Sequence, residues 1–214
     1  MQIRLTREYY KENEFIYDKS RVDFKSGLTV LIGCNGSGKS TMLFQIKNHC
    51  DSKRIPVLNF DNLKQGGSNS LQSAGFYGDM DFLTEGLISS EGEIINMNLG
   101  KFASKMGGFV AGHLDSNRLV FLLDAIDSGL SIDYVLELKK YLFKTVIEDC
   151  ASKGIEVYIV VSANEYELAR GEQCLDVSSC QYVDITSYED YRNVVLETRK
   201  KKNIRYGWKE FMLS

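Results

Sequence analysis

Leu28-Thr29-Val30-Leu31-Ile32-Gly33-Cys34-Asn35-Gly36-Ser37-Gly38-Lys39-Ser40-Thr41 decides the fold of this chain. The apolar, β-branched run from Leu28 to Ile32 reads as a buried strand. It breaks at Gly33, and a helix begins near Ser40. Between them lies Gly33-x-x-x-x-Gly38-Lys39-Ser40, a phosphate-binding P-loop. Glycines at 33, 36 and 38 allow positive φ and close wrapping of backbone around a phosphate. The resulting cluster of N–H groups, with the partial positive charge of the helix N-terminus behind it, suits an anion. Lys39 is placed to neutralise β- and γ-phosphates, and the Ser40 hydroxyl to hold Mg²⁺. The nucleotide-binding residues are therefore Gly33, Cys34, Asn35, Gly36, Ser37, Gly38, Lys39, Ser40 and Thr41, and the expected cofactors are ATP and Mg²⁺.

Bulk properties fit one nucleotide-binding domain over residues 1–214. The chain has 214 residues, 43% of them hydrophobic, enough for one sizeable core. A formal net charge of −3 excludes a surface that attracts nucleic acid as a whole, so any such contact needs a local patch. Five cysteines (Cys34, Cys50, Cys150, Cys174 and Cys180) without close paired spacing argue against a disulfide framework or zinc site and for a reducing compartment. Cys34, inside the P-loop, is a tolerated small side chain or an oxidation-sensitive point. The N-terminus shows no signal peptide and no stretch approaches a membrane span. The expectation is a cytoplasmic protein without a membrane partner.

Periodicity supplies the remaining elements. Ile3 to Leu28 reads as two or three antiparallel strands whose aromatics could stack on an adenine. Thr41 to Cys50 continues the P-loop helix, and Ile55 to Phe60 is a second buried strand. Asp61 to Gly75 is a polar, Gly/Ser-rich loop, followed by a short helix near Met80 to Leu87. Ser90-x-x-Glu93 forms a capping box for a helix ending at Gly107-Gly108. Leu119 to Leu123 is a strand ending in Asp124. Ile132 to Cys150 is amphipathic, with Ile132, Val135, Leu138, Leu142 and Val146 on one stripe. Val157 to Ser162 is a strand, Asn164 to Arg170 a short helix, and Leu175 to Ile185 a hairpin. Thr186-x-x-Glu189 caps a last helix carrying Arg199-Lys200-Lys201-Lys202. This alternation predicts an α/β fold of the P-loop NTPase kind: a mainly parallel sheet flanked by helices, an N-terminal antiparallel β portion and a reduced helical lobe.

Asp124, at the end of an apolar strand, has the Walker B pattern and is a second Mg²⁺ residue, acting through water beside Ser40. The chain here resembles the ATP-binding cassette ATPases, particularly their soluble SMC- and RecF-like branch. The resemblance rests on Phe24 to Thr41, on Leu122-Leu123-Asp124-Ala125-Ile126-Asp127-Ser128-Gly129-Leu130-Ser131 as Walker B plus D-loop, and on Ser90-Glu91-Gly92-Glu93 as the signature. Val160-Val161-Ser162-Ala163-Asn164 is similar to the switch strand. From Val157 to the basic tail the chain also resembles small stand-alone AAA-type ATP-binding proteins of phage and prophage genomes.

That resemblance implies an ATP-sandwiched homodimer in which Ser90, Gly92 and Glu93 of one chain meet the phosphates of the other, with D-loop residues Asp127, Ser128 and Gly129 at the contact. It further implies DNA-linked or phage-related work. It offers Gln65, after the second strand, as a metal-linked glutamine. Two family side chains are absent: the glutamate after the Walker B aspartate is Ala125, and the switch histidine is Ala163. No catalytic residue is therefore secure, and Asp127 is the candidate. Slow hydrolysis is one reading, a non-hydrolysing ATP-dependent clamp or sensor another, and a P-loop kinase with an acceptor site in Asp61 to Ser70 a third. The basic segment Arg199 to Arg205 suits a nucleic-acid or protein partner or a solvated helix end.

Overall fold

A computed structural model describes residues 1–6, 16–61, 91–128 and 131–205. In chain order the elements are β1 (Gln2–Arg4), β2 (Arg21–Asp23), β3 (Gly27–Ile32), α1 (Lys39–Lys53), β4 (Val57–Asp61), α2 (Glu91–Ala111), β5 (Arg118–Asp124), α3 (Ile132–Glu137), a π-helical segment (Leu138–Phe143), α4 (Lys144–Ser152), β6 (Glu156–Ser162), α5 (Tyr166–Ala169), β7 (Gln173–Asp176), β8 (Gln181–Val183) and α6 (Tyr188–Arg205).

Six strands form one sheet in the order β4-β5-β6-β3-β7-β8. The ladders from β4 through β7 are parallel; only β8 runs antiparallel, against β7. The apolar runs follow from this arrangement, because a parallel sheet covered on both faces needs apolar side chains on each. Alternation sorts them. Val30, Ile32, Phe121, Leu123, Ile159 and Val161 enter one core, with α2, α4 and α6. Leu31, Val120, Leu122, Tyr158 and Val160 enter the other, with α1 and the antiparallel β1–β2 pair. Each such fully buried side chain contributes about 1.5–3 kcal/mol. The P-loop strand β3 is central, so the loop after it is anchored between two covered faces.

Several local expectations shift. Of the N-terminal strands, the described residues form one two-stranded sheet, Ile3 opposite Val22. Gly107 and Gly108 do not stop α2, which runs to Ala111. An exposed glycine costs a helix about 0.5–1 kcal/mol but does not break it. The end comes where Gly112 N–H bonds Gly108 O and His113 Nδ1 reaches Phe109 O at 2.8 Å. The last helix is capped one residue later than expected. Ser187 and Asp190 bond reciprocally, N–H to carboxylate at 2.8 Å and N–H to hydroxyl at 3.2 Å. Glu189 instead pairs with Arg192 at 2.9 Å.

The stripe on residues 132–150 also changes. The π-helical segment inserts one extra residue per turn. Phe143 (1% exposed) therefore follows Leu138 into the core, with half-buried Leu142 packed against it, and Ile132 is 60% exposed. The loop from Asp61 to Gly75 beyond its first residue, and the short helix near Met80, lie outside the described residues, as do Gln65, Ser90 and Gly129. All five cysteines are buried free thiols. Among the described residues no helix is long and apolar enough to cross a membrane.

Candidate functional site

The C-terminal edge of the parallel sheet gathers the polar residues. Gly33–Gly38 leave β3, and α1 begins at Lys39 with Gly38 as its N-cap at φ +104°. The left-handed backbone at position 38 favours glycine, and a Cβ there would also push Ile16 Cδ1, 2.6 Å away, aside. The first turn of α1 contains no acidic residue. Its N–H groups and the dipole behind them make an anion site. Ser40 lies exposed in that turn, with half-buried Thr41 beside it.

Lys39 folds back over the loop. Its Nζ donates to Gly33 O at 2.7 Å and Cys34 O at 3.4 Å, and the residue is 8% exposed. Burial holds its pKa below the usual lysine value, while Cys34, Asp127 and Asp124 pull the other way. The ammonium is thus poised beside the loop with neutral carbonyls as its acceptors.

Three more strands end along this same edge of the sheet. Asp124 ends β5, and its Oδ1 accepts the Ser162 hydroxyl at 2.5 Å; Ser162 Oγ in turn accepts Ala125 N–H at 2.7 Å. Ser162 therefore ties the end of β6 to the end of β5 and orients the carboxylate. Asp61, ending β4, stands opposite Asp124 in the ladder. Ala125 is 5% exposed with φ +51°, an unusual backbone state for a residue with a side chain. Ala163 is fully buried, its N–H on Leu31 O at 3.1 Å. The oxygen ligands that Mg²⁺ prefers are present in the Ser40 hydroxyl and the Asp124 carboxylate. A site with so few protein ligands suits an ion that keeps waters and takes substrate phosphates.

Asp127 is 2% exposed and bound within its own chain. Its Oδ2 accepts Asn164 N–H at 2.6 Å and Glu165 N–H at 2.7 Å, while Oδ1 is buried with no hydrogen-bond partner among the described residues. Burial raises its pKa above the usual aspartate value; the two backbone bonds oppose that shift. Ser128 Oγ lies 3.4 Å from Asn164 Nδ2. The loop after β5 is thereby clamped to the loop after β6.

Reading of the sequence missed the residues that grip the P-loop from the sides. Thr198 on α6 is 1% exposed, and its Oγ1 accepts Cys34 N–H at 2.9 Å. Lys202, one turn on, donates from Nζ to Asn35 O at 2.9 Å. On the opposite face of the sheet, the Tyr17 hydroxyl donates to Gly38 O at 3.0 Å. Lys201 bonds Asp18 at 2.7 Å and Arg205 bonds Ile16 O, joining the two grips. No sequence pattern marks these positions: Thr198 stands in a charged run and Tyr17 among other aromatics.

Between the leading half of the loop and α6 lies a cavity of about 860 Å³, lined by Gly33, Cys34, Asn35, Asn164, Tyr188, Tyr191, Arg192, Arg199 and Lys202 among others. Gly92 and Glu93 fall in the first turn of α2.

No protein-family model matches the chain, and no curated protein does. Among solved structures it is similar to CbiO1 from Clostridium perfringens, described as part of the ABC transporter complex CbiONQ. The TM-score is 0.47 and the identity 18%, over 96% of this chain and 95% of that one. The assignment of a P-loop NTPase fold rests on the chain's own geometry: a parallel sheet, a Gly-rich loop after a central strand, and an acidic strand end two strands away.

Proposed function

We infer that this chain binds Mg·ATP at the loop Gly33–Thr41 and hydrolyses it slowly. The observation that carries this reading is the convergence on one sheet edge of the N-terminal turn of α1, the ammonium of Lys39 and the Ser162-oriented carboxylate of Asp124. A nucleotide phosphate offers Lys39 an anionic acceptor in place of the Gly33 and Cys34 carbonyls, and charge-assisted bonds are about twice as strong. Ser40 and Asp124 would hold Mg²⁺, which neutralises charge on the β- and γ-phosphates. The loop N–H groups orient the phosphates and lose nothing to reorganisation during the reaction.

Slow turnover follows from position 125. A positioned general base contributes about 10²–10⁴-fold, and alanine supplies none. We assign Asp127 a positioning role, because its bonded oxygen is held by Asn164 and Glu165. The non-hydrolysing clamp is the second reading, favoured by Ala125 and Ala163. The resemblance to cassette ATPases supports an ATP-dependent homodimer through Ser90, Gly92 and Glu93, and DNA-linked or phage-related work; both are proposals. So are Gln65 as a further metal residue and Gly129 in the dimer contact.

Calorimetry with Mg·ATP tests the central claim. Lys39→Ala should weaken binding about ten- to a hundredfold, the worth of a charge-assisted contact; equal affinity would refute the site. Phosphate release then separates the readings. Ala125→Glu should raise turnover about tenfold or more, whereas brisk wild-type turnover stopped only by Asp127→Asn would make Asp127 the base. Light scattering of wild type and Ser90→Arg, with and without ATP, checks the dimer.

A further inference from the structure

The run Arg199-Lys200-Lys201-Lys202 does not present its charge as one patch. Lys201 and Arg205 are tied to Asp18 and Ile16 of the N-terminal segment. Arg192 pairs with Glu189. Lys202 turns onto the P-loop, with Nζ 2.9 Å from Asn35 O. That nitrogen fills the place of a side chain at Gly36: a Cβ there would meet it at 2.8 Å. Two ammonium groups thus meet the leading half of the loop, Lys39 on the Gly33 and Cys34 carbonyls and Lys202 on the next carbonyl.

We propose that Lys202 is a second phosphate-contacting cation, supplied by the C-terminal helix, which binds the terminal phosphate of the nucleotide and so distinguishes a nucleoside triphosphate from a diphosphate. This rests on the ATP-binding reading above. Three observations carry it. Lys202 lies at the leading half of the loop, on the cavity that also reaches Asn164 at the end of β6. The carboxylates of Asp124 and Asp127 follow β5, on that same side of β3. Gly38, at the trailing end of the loop, is instead flanked by Ile16 and Tyr17. Lys202 donates to the Asn35 carbonyl, and an anionic phosphate oxygen is a stronger acceptor than a carbonyl. Its four-carbon stem lets the ammonium move while α6 stays anchored through Thr198. A cation from outside the loop is one known way to stabilise charge on a transferring phosphoryl group, and it would act within this chain.

The test compares wild type, Lys202→Met and Lys202→Arg by calorimetry with a non-hydrolysable ATP analogue and with ADP, both with Mg²⁺. Lys202→Met keeps an unbranched stem and removes the charge. It should weaken the analogue by about tenfold or more and ADP by about twofold or less. Lys202→Arg should recover most of the lost affinity. Equal weakening of both nucleotides would overturn the proposal and leave Lys202 a structural residue of the loop. So would unchanged binding of both. Failure of the wild type to bind either nucleotide would refute the ATP-binding reading itself, and this inference with it.

Discussion

Asp127 places a carboxylate where water barely reaches, and two backbone N–H groups hold one of its oxygens. Burial is the larger effect, and it raises the pKa above the ordinary 3.8. The native state then holds this proton more tightly than the unfolded chain does. Stability from this group is fully present below the unfolded pKa and is lost as pH rises through the folded one. Asp127→Asn removes that titration, and its amide oxygen can still accept from Asn164 and Glu165. The stability of the Asp127→Asn variant relative to wild type should therefore grow from acid toward neutral pH. Asp127→Ala instead leaves two part-buried donors without their acceptor and should cost about 1–3 kcal/mol. Urea denaturation of the three proteins at acid and neutral pH reads both effects; a flat difference between Asp127→Asn and wild type would show that burial does not disfavour the carboxylate.

At the scale of elements, the segment Ile132–Ser152 shows what a sequence reveals and what it hides. An apolar stripe of period 3.6 announces a helix but not a change of period within it. The π-helical segment Leu138–Phe143 brings Phe143 into the stripe as its most buried residue there, with Leu142 packed beside it. Phe143→Ala should cost about 3–5 kcal/mol as a buried aromatic truncation, and Leu142→Ala distinctly less because Leu142 is half-buried. The reverse order in thermal or urea melts would return the segment to a regular α-helix. The sheet was legible for a related reason. Strands such as Leu119 to Leu123 are apolar on both faces, and few environments other than a covered parallel sheet need that. The P-loop was legible because its chemistry is local: glycines, lysine and hydroxyl lie within a few residues. Asp124 was legible as an acidic end to such a strand. Thr198, Lys202 and Tyr17 were not, since each acts on the loop from far along the chain through a single bond that many other residues could make elsewhere.

Across the whole molecule, the P-loop is held between segments on opposite faces of the sheet. Tyr17 belongs to the core with α1, and α6 packs Tyr191 into the other core. The two meet beyond the sheet edge through Asp18, Lys201 and Arg205. Those ion pairs are part-exposed, and such pairs are worth about 0–1 kcal/mol each, so they close the ring loosely. The firm link is Thr198 to Cys34, a buried bond spanning 164 residues of sequence. Thr198 Oγ1 also donates to Val195 O at 2.8 Å, which aims its lone pairs at the loop. Thr198→Val keeps the shape and removes the hydroxyl, leaving Cys34 N–H buried without its acceptor. The expected cost is about 1–3 kcal/mol, together with weaker ATP binding, because the leading half of the loop would no longer be fixed. Thr198→Ser keeps the hydroxyl and gives up only the methyl group that packs 3.6 Å from the Cβ position of Gly33. It should lose about 1 kcal/mol, as for one buried methyl, and retain binding. Urea melts and calorimetry on both variants distinguish the cases. If Thr198→Val matches Thr198→Ser in both measurements, packing rather than the hydrogen bond anchors the last helix to the loop.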